Sequence, residues 1–144
     1  MAIFDIALTA QDCRKWDLVG LVEKYREGIS QYSVVATMDT GSIIKIGAGI
    51  DASLVSRGLE GGYLQIARLV DSGRLGMVIF LHDPTLNLSD PGVMELLTAC
   101  NVRNIPFANN LITAEFILHR FLEKGMATYW RCPVARPEHQ FVRV

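Results

Sequence analysis

The chain lacks any strong imbalance of charge. Its 144 residues include 14 lysines and arginines and 15 aspartates and glutamates, which give a formal net charge of −1. A near-neutral chain has no electrostatic basis for holding nucleic acid or an anionic membrane, because both require concentrated positive charge. We therefore expect no nucleic acid and no membrane among its partners.

A membrane span and a basic leader are also missing. No apolar run in the sequence approaches the ~20 residues that a membrane-spanning helix needs. The segment Met1–Leu8 contains Asp5 and no basic stretch, so it is typical of a first strand and not of a signal peptide. We therefore expect neither a membrane span nor a signal peptide.

Cysteine is scarce. Cys13, Cys100 and Cys132 are odd in number and widely spaced, without the pairing seen in disulfide frameworks and metal sites. Reduced thiols are the rule in the cytoplasm. We therefore expect a cytoplasmic protein with three reduced cysteines, no metal and no cofactor.

What the chain has is apolar sequence interrupted by turns. Half of its residues are apolar and 20% are charged, a balance typical of a globular protein. Its length fits one domain, 1–144, with a real core. Neither a repeat nor a linker is visible.

Strand-like and helix-like segments alternate along the chain. The predicted strands are Ile3–Leu8, Tyr32–Ala36, Ala52–Val55, Gly76–Leu81 and Ile105–Ala108, with Ala127–Arg131 as a candidate edge strand. The predicted helices are Trp16–Arg26, Ser42–Ile46, Tyr63–Ser72, a helix from the cap Asp90 to about Cys100, and Thr113–Glu123. This order predicts an α/β fold: an open parallel sheet with helices on both faces, in three Rossmann-like layers.

Four loops of this sheet are rich in polar residues and glycine. They are 9–15, 37–42, 57–63 and 82–90. Each follows the carboxyl end of a predicted strand, which is where open parallel sheets bind ligands.

The turn from Thr37 to Ser42 has two interpretations. It joins a strand to a helix, and Thr37, Thr40 and Ser42 supply hydroxyl groups while Gly41 allows close approach of a ligand. Together with the helix N-terminus, such a turn can bind an anion. Threonine and serine also cap helices without any ligand.

Short motifs in order along the chain carry a family resemblance. They are Ala10-x-Asp12-x-x-Lys15, Ala36-Thr37-x-x-Thr40-Gly41, Gly58-x-x-Gly61-Gly62, Phe80-x-x-Asp83-Pro84, Asp90-Pro91-x-Val93, Asn104-Ile105-Pro106-x-Ala108 and Thr113-Ala114-x-Phe116. With these, the chain resembles methylglyoxal synthase over nearly its whole length. The resemblance implies a domain with the methylglyoxal synthase fold that assembles as a symmetric homo-oligomer.

The resemblance also implies a binding site. Family members hold the phosphate of dihydroxyacetone phosphate with a lysine and threonine hydroxyls, roles that match Lys15, Thr37 and Thr40. The site would include Gly41 and the backbone of the turn that contains Gly58, Gly61 and Gly62. Asp12 and Asp83 would orient polar groups nearby.

Other positions depart from the family pattern. The family's general base is an aspartate immediately after the Gly-Gly pair, where this chain has Tyr63. Family histidines correspond to Gln11 and Ser89, and Asp39 replaces a threonine of the phosphate loop. A phenol is a poor base at neutral pH because its ordinary pKa is near ~10. We therefore expect a kept anion site and a largely lost proton-transfer site.

Several functions remain open at this point. The first is binding of a small phosphorylated or carboxylated metabolite without ordinary methylglyoxal synthase activity. The second is an enzyme, either methylglyoxal synthase itself or another lyase or isomerase, that uses Tyr63, Glu60 or His82 as the base. His82 could be oriented by Asp83, or it could be purely structural. The third is an oligomer with a vestigial pocket.

Overall fold

The computed structural model describes residues 2–86 and 90–124. The strands are Phe4–Ala10 (β1), Val34–Thr37 (β2), Ser53–Val55 (β3), Leu75–Leu81 (β4) and Phe107–Ala108 (β5). The α-helices are Lys15–Lys24 (α1), Arg26–Ile29 (α2), Met38–Ala48 (α3), Gly62–Asp71 (α4), Pro91–Arg103 (α5) and Leu111–Lys124 (α6). Two single turns of 3₁₀-helix are Asp12–Arg14 and Gly58–Glu60.

The strands form one parallel sheet in the order β3-β2-β1-β4-β5. Strand β1 lies at the centre, where Ile6 pairs with Val34 of β2 and with Met77 of β4. The order changes direction at β1, so β1 and its two neighbours end at the point where such sheets leave a crevice. The predicted α/β fold with an open parallel sheet is confirmed.

Both faces of the sheet are buried, which explains the continuous apolar runs of β1 and β4. Successive side chains point to opposite faces. Ile6 and Leu8 contribute to one core with α1, α3 and α6, and Ala7 and Phe80 contribute to the other with α4 and α5. Within residues 2–86 and 90–124, no helix combines the length and the apolar character that crossing a membrane requires.

The third helix differs from its prediction. Helix α3 begins at Met38, four residues before the predicted start at Ser42, so Thr40 and Gly41 lie inside the helix and not in a loop. Ser42 Oγ donates to the carbonyl of Met38, 2.9 Å away within the same helix. The predicted turn is therefore wrong at Thr40 and Gly41: Thr40 accepts from the backbone N–H of Ala10 on β1, and this contact holds it in the first turn of the helix. The helix ends at Ala48, and the following Gly49 has a φ of 71°, typical of a glycine that terminates a helix.

Other boundaries shift by a few residues. Strand β1 extends to Ala10, and α5 continues to Arg103. The predicted cap of α5 is confirmed, because Asp90 Oδ1 accepts from the backbone N–H of Val93 at 3.1 Å. The candidate strand Ala127–Arg131 lies outside the described residues.

Candidate functional site

A polar cavity of about 470 Å³ opens at the carboxyl ends of the central strands. It is formed by the segments that follow β1, β2, β3 and β4. Its lining residues are Ala10, Gln11, Asp12, Lys15, Asp39, Arg57, Gly58, Leu59, Glu60, Tyr63, Asp83 and Leu86. The structure therefore brings together five of the predicted site residues: Asp12, Lys15, Gly58, Tyr63 and Asp83.

Lys15 is the central cation of this cavity. It is only 6% exposed, and its Nζ lies 2.5 Å from Asp12 Oδ1 and 3.2 Å from Asp39 Oδ2. Burial lowers the pKa of Lys15, but its hydrogen bonds and charge interactions with the two carboxylates outweigh burial and raise the pKa overall. The hydrogen bond and the charge of Lys15 also lower the pKa of Asp12. Lys15 is thus a charged group at neutral pH.

Thr37 and Thr40 are buried and engaged with each other. Thr37 Oγ1 donates to Thr40 Oγ1 at 3.0 Å and lies 2.9 Å from Thr9 Oγ1. Thr40 Oγ1 accepts from the backbone N–H of Ala10 at 3.2 Å. These bonds join β1, β2 and α3, and neither threonine is among the residues that line the cavity. Their role as ligand donors stays a prediction.

The glycine turn after β3 is tightly packed. Gly61 has a φ of 99°, a backbone conformation that residues other than glycine rarely adopt. A Cβ at Gly62 would lie 2.2 Å from the carbonyl oxygen of Ser56, and one at Gly58 would lie 2.3 Å from Tyr63 Cζ. The turn therefore holds the backbone at the cavity wall close to the Tyr63 ring.

We expect Gly62→Ala to lower the free energy of unfolding by about 1–3 kcal/mol, because the new methyl group meets backbone that cannot yield. Gly20→Ala is the matched control, since a Cβ at this helical position meets no atom within 4 Å. There the change should raise stability by up to ~1 kcal/mol. Urea unfolding of both variants checks the prediction, and an equal response would contradict the tight packing at Gly62.

Tyr63 lies at the start of α4 and is buried, with 4% exposure. Its ring stacks on Phe80, with centroids 5.0 Å apart. Burial and then the charge of Asp39 raise the pKa of Tyr63 to about 12, against the opposing hydrogen bonds of Gln11 and Thr9. The phenol therefore stays protonated at neutral pH and does not serve as a base there.

Gln11 connects the cavity to the end of β4. Its Oε1 accepts from the backbone N–H of Asp83 at 2.7 Å and lies 3.0 Å from His82 Nδ1. From the sequence, Gln11 is identified only as the residue at the position of a family histidine. Its location directly after a strand and beside a polar loop is the sequence feature that could have indicated this bridging role.

His82 and Asp83 line different cavities. Asp83 faces the Lys15 cavity, whereas His82 lines a separate cavity of about 350 Å³ with Asn109 and Asn110. Hydrogen bonds from the hydroxyl and backbone of Thr85 lower the pKa of Asp83. His82 is therefore not positioned as a base for a ligand beside Lys15.

Asp39 meets Lys15, while Arg57 and Glu60 line the cavity nearby. In total, four acidic and two basic side chains line it: Asp12, Asp39, Glu60, Asp83, Lys15 and Arg57. Residues 2–86 and 90–124 contain no cluster of His, Cys, Asp or Glu suited to a metal ion.

This fold and this crevice define a doubly wound α/β domain with a cavity lined by charged side chains at the carboxyl ends of its strands. Methylglyoxal synthase from Burkholderia cenocepacia (strain HI2424) is 40% identical over 114 residues, which cover 78% of this chain and 88% of that protein. Methylglyoxal synthase from Burkholderia mallei (strain SAVP1) is 41% identical over 114 residues, which again cover 78% of this chain and 88% of that protein.

A solved structure agrees with these sequence relatives. The crystal structure of methylglyoxal synthase from Elizabethkingia anophelis NUHP1 has a TM-score of 0.74 and 33% identity, covering 84% of this chain and 81% of that one. No family model matches the chain. The chain belongs to the methylglyoxal synthase family, and the predicted resemblance is confirmed.

Proposed function

We propose that this protein binds a small anionic metabolite, phosphorylated or carboxylated, in the Lys15 cavity and lacks the ordinary lyase activity of its family. The observation that carries the binding proposal is the buried, charged Lys15 in a cavity large enough for a small metabolite. An ammonium group so placed forms strong charge-assisted hydrogen bonds to an anion. Arg57 adds a second cation to the lining of the same cavity.

The loss of lyase activity is inferred from Tyr63. By the motif match, Tyr63 occupies the position of the family's catalytic aspartate, directly after Gly61 and Gly62. Its pKa of about 12 leaves no ionised group there at neutral pH. A proton next to a carbonyl therefore meets no base at that position.

A divergent lyase or isomerase is the second candidate. Asp12 and Asp83 both line the cavity, and hydrogen bonding lowers the pKa of each carboxyl. Such carboxylates are ionised and available as bases, although a low pKa makes them weak ones. Glu60 lines the same cavity. Turnover of a phosphorylated ligand that is lost in Asp83→Asn or Asp12→Asn would favour this candidate.

The proposal includes a homo-oligomer that acts in the cytoplasm. The family resemblance supports the oligomer. In the described residues Cys13 and Cys100 are free thiols, in keeping with a reducing compartment, and Cys132 lies outside them.

We expect Lys15→Ala to weaken binding of the best anionic ligand by about 10- to 100-fold, the loss of one charge-assisted hydrogen bond. The ligand would first be found by a thermal-shift screen of inorganic phosphate, dihydroxyacetone phosphate, phosphoglycolate and glycolate. A ligand at 100 times its dissociation constant adds about 2.7 kcal/mol to stability. Isothermal titration calorimetry then gives the affinities.

The matched control is Lys45→Ala. Lys45 lies on α3, its side chain is 69% exposed, and it pairs with Asp51 at 3.0 Å away from the cavity. Removal of this charge should leave the affinity within about twofold, because exposed charges are screened. Equal losses in the two variants would count against a specific site at Lys15.

A further inference from the structure

Asp39 has an oxygen atom that the fold leaves unsatisfied. Its Oδ2 pairs with Lys15 Nζ at 3.2 Å, but Oδ1 is buried and has no hydrogen-bond partner in the part of the chain that the structure describes. A buried acceptor without a donor is unfavourable, and native proteins seldom keep one without a reason. Asp39 lines the cavity, so its negative charge acts on any ligand bound there.

We infer that Asp39 is the specificity residue of this cavity, disfavouring phosphate and favouring a small, singly charged carboxylate. The inference rests on the proposed function and narrows its ligand class. The Asp39 carboxylate already takes the Lys15 charge that a phosphate would need. A singly charged carboxylate needs less of that charge than a phosphate dianion does.

The electrostatics of the cavity point the same way. Four of its lining side chains are acidic and two are basic. Repulsion from the surplus carboxylates grows with ligand charge, so a phosphate dianion experiences about twice the repulsion of a carboxylate at the same distance. Asp39 also lies in the first turn of α3, where the helix dipole stabilises its own negative charge.

The second carboxylate on Lys15 provides a contrast. Asp12 also pairs with Lys15, but its side chain is 98% exposed, whereas that of Asp39 is 34% exposed. An exposed carboxylate is well solvated and screened, and it can turn away when a ligand enters. Asp39 is the partner that a ligand anion must compete with.

The test measures affinities for inorganic phosphate and for glycolate by calorimetry. The wild type is expected to bind glycolate at least about tenfold more tightly than phosphate. Asp39→Asn removes the charge but keeps a carbonyl acceptor, so it should raise phosphate affinity by about tenfold or more. Its glycolate affinity should stay within about threefold of the wild type.

One variant serves as the matched control. Asp51→Asn removes a carboxylate charge from the remote pair with Lys45. It should change phosphate affinity by less than about threefold. Asp39→Ser repeats the test if the asparagine variant does not fold.

The results separate this inference from the proposed function. Unchanged phosphate affinity in Asp39→Asn, an equal gain in Asp51→Asn, or a wild type that prefers phosphate would overturn the inference, while wild-type anion binding would still support the function. Phosphate binding only in Asp39→Asn would support the role of Asp39 in excluding phosphate and count against the proposed function. If neither protein binds phosphate or glycolate, both fail.

Discussion

The purified protein should form methylglyoxal from dihydroxyacetone phosphate about 10²- to 10⁴-fold more slowly than the Burkholderia cenocepacia relative assayed beside it, the range that one general base contributes. The reaction that the family resemblance implies removes a proton next to a carbonyl. At the position that follows Gly61 and Gly62, this chain presents the Tyr63 phenol, whose pKa is raised to about 12. The expected deficit therefore lies mainly in kcat.

Tyr63→Phe is the matched control for this deficit. The change removes one hydroxyl and keeps the ring that stacks on Phe80. If Tyr63 takes no part in chemistry, the residual rate should change by less than about threefold, against the 10²-fold or more expected for a base. A rate of methylglyoxal formation equal to that of the relative would show that this protein is an active enzyme. Loss of the residual rate in Tyr63→Phe would show the same.

The fold could be predicted because the sequence patterns that indicate its strands and helices are local. The apolar runs of β1 and β4 are continuous because both sheet faces are covered, and the segments between them have helical spacing. The start of α3 could not be predicted in this way. Whether Thr40 belongs to a turn or a helix depends on its hydrogen bond to Ala10, thirty residues away in the chain.

The residues that belong to the site could be predicted from the sequence better than the contacts among them. Placing the loops at one sheet edge brings Asp12, Lys15, Tyr63 and Asp83 together. The pairing of Asp39 with Lys15 could not be predicted from sequence, since the two residues belong to different helices. That pairing depends on how α1 packs beside α3, which is a property of the assembled core. The direction of His82 depends in the same way on its contact with Gln11.

The packing beneath the cavity leads to the largest expected effect on stability. Phe80 on β4 is 1% exposed and is enclosed by the rings of Tyr63 and Phe107, at centroid distances of 5.0 and 6.4 Å. Phe80→Ala should lower the free energy of unfolding by about 3–5 kcal/mol, because it removes a buried ring and leaves a cavity. Urea unfolding followed by circular dichroism measures the change.

Phe116→Ala makes the same chemical change at a position on α6 that is 75% exposed. In an isolated subunit its cost should stay within about 0.5 kcal/mol, as for most surface substitutions. A cost below about 1 kcal/mol for Phe80→Ala would contradict the role of the Phe80–Tyr63 stack in supporting the cavity wall. A large cost for Phe116→Ala that depends on protein concentration would instead indicate that a second copy covers this face, because association stabilises by mass action.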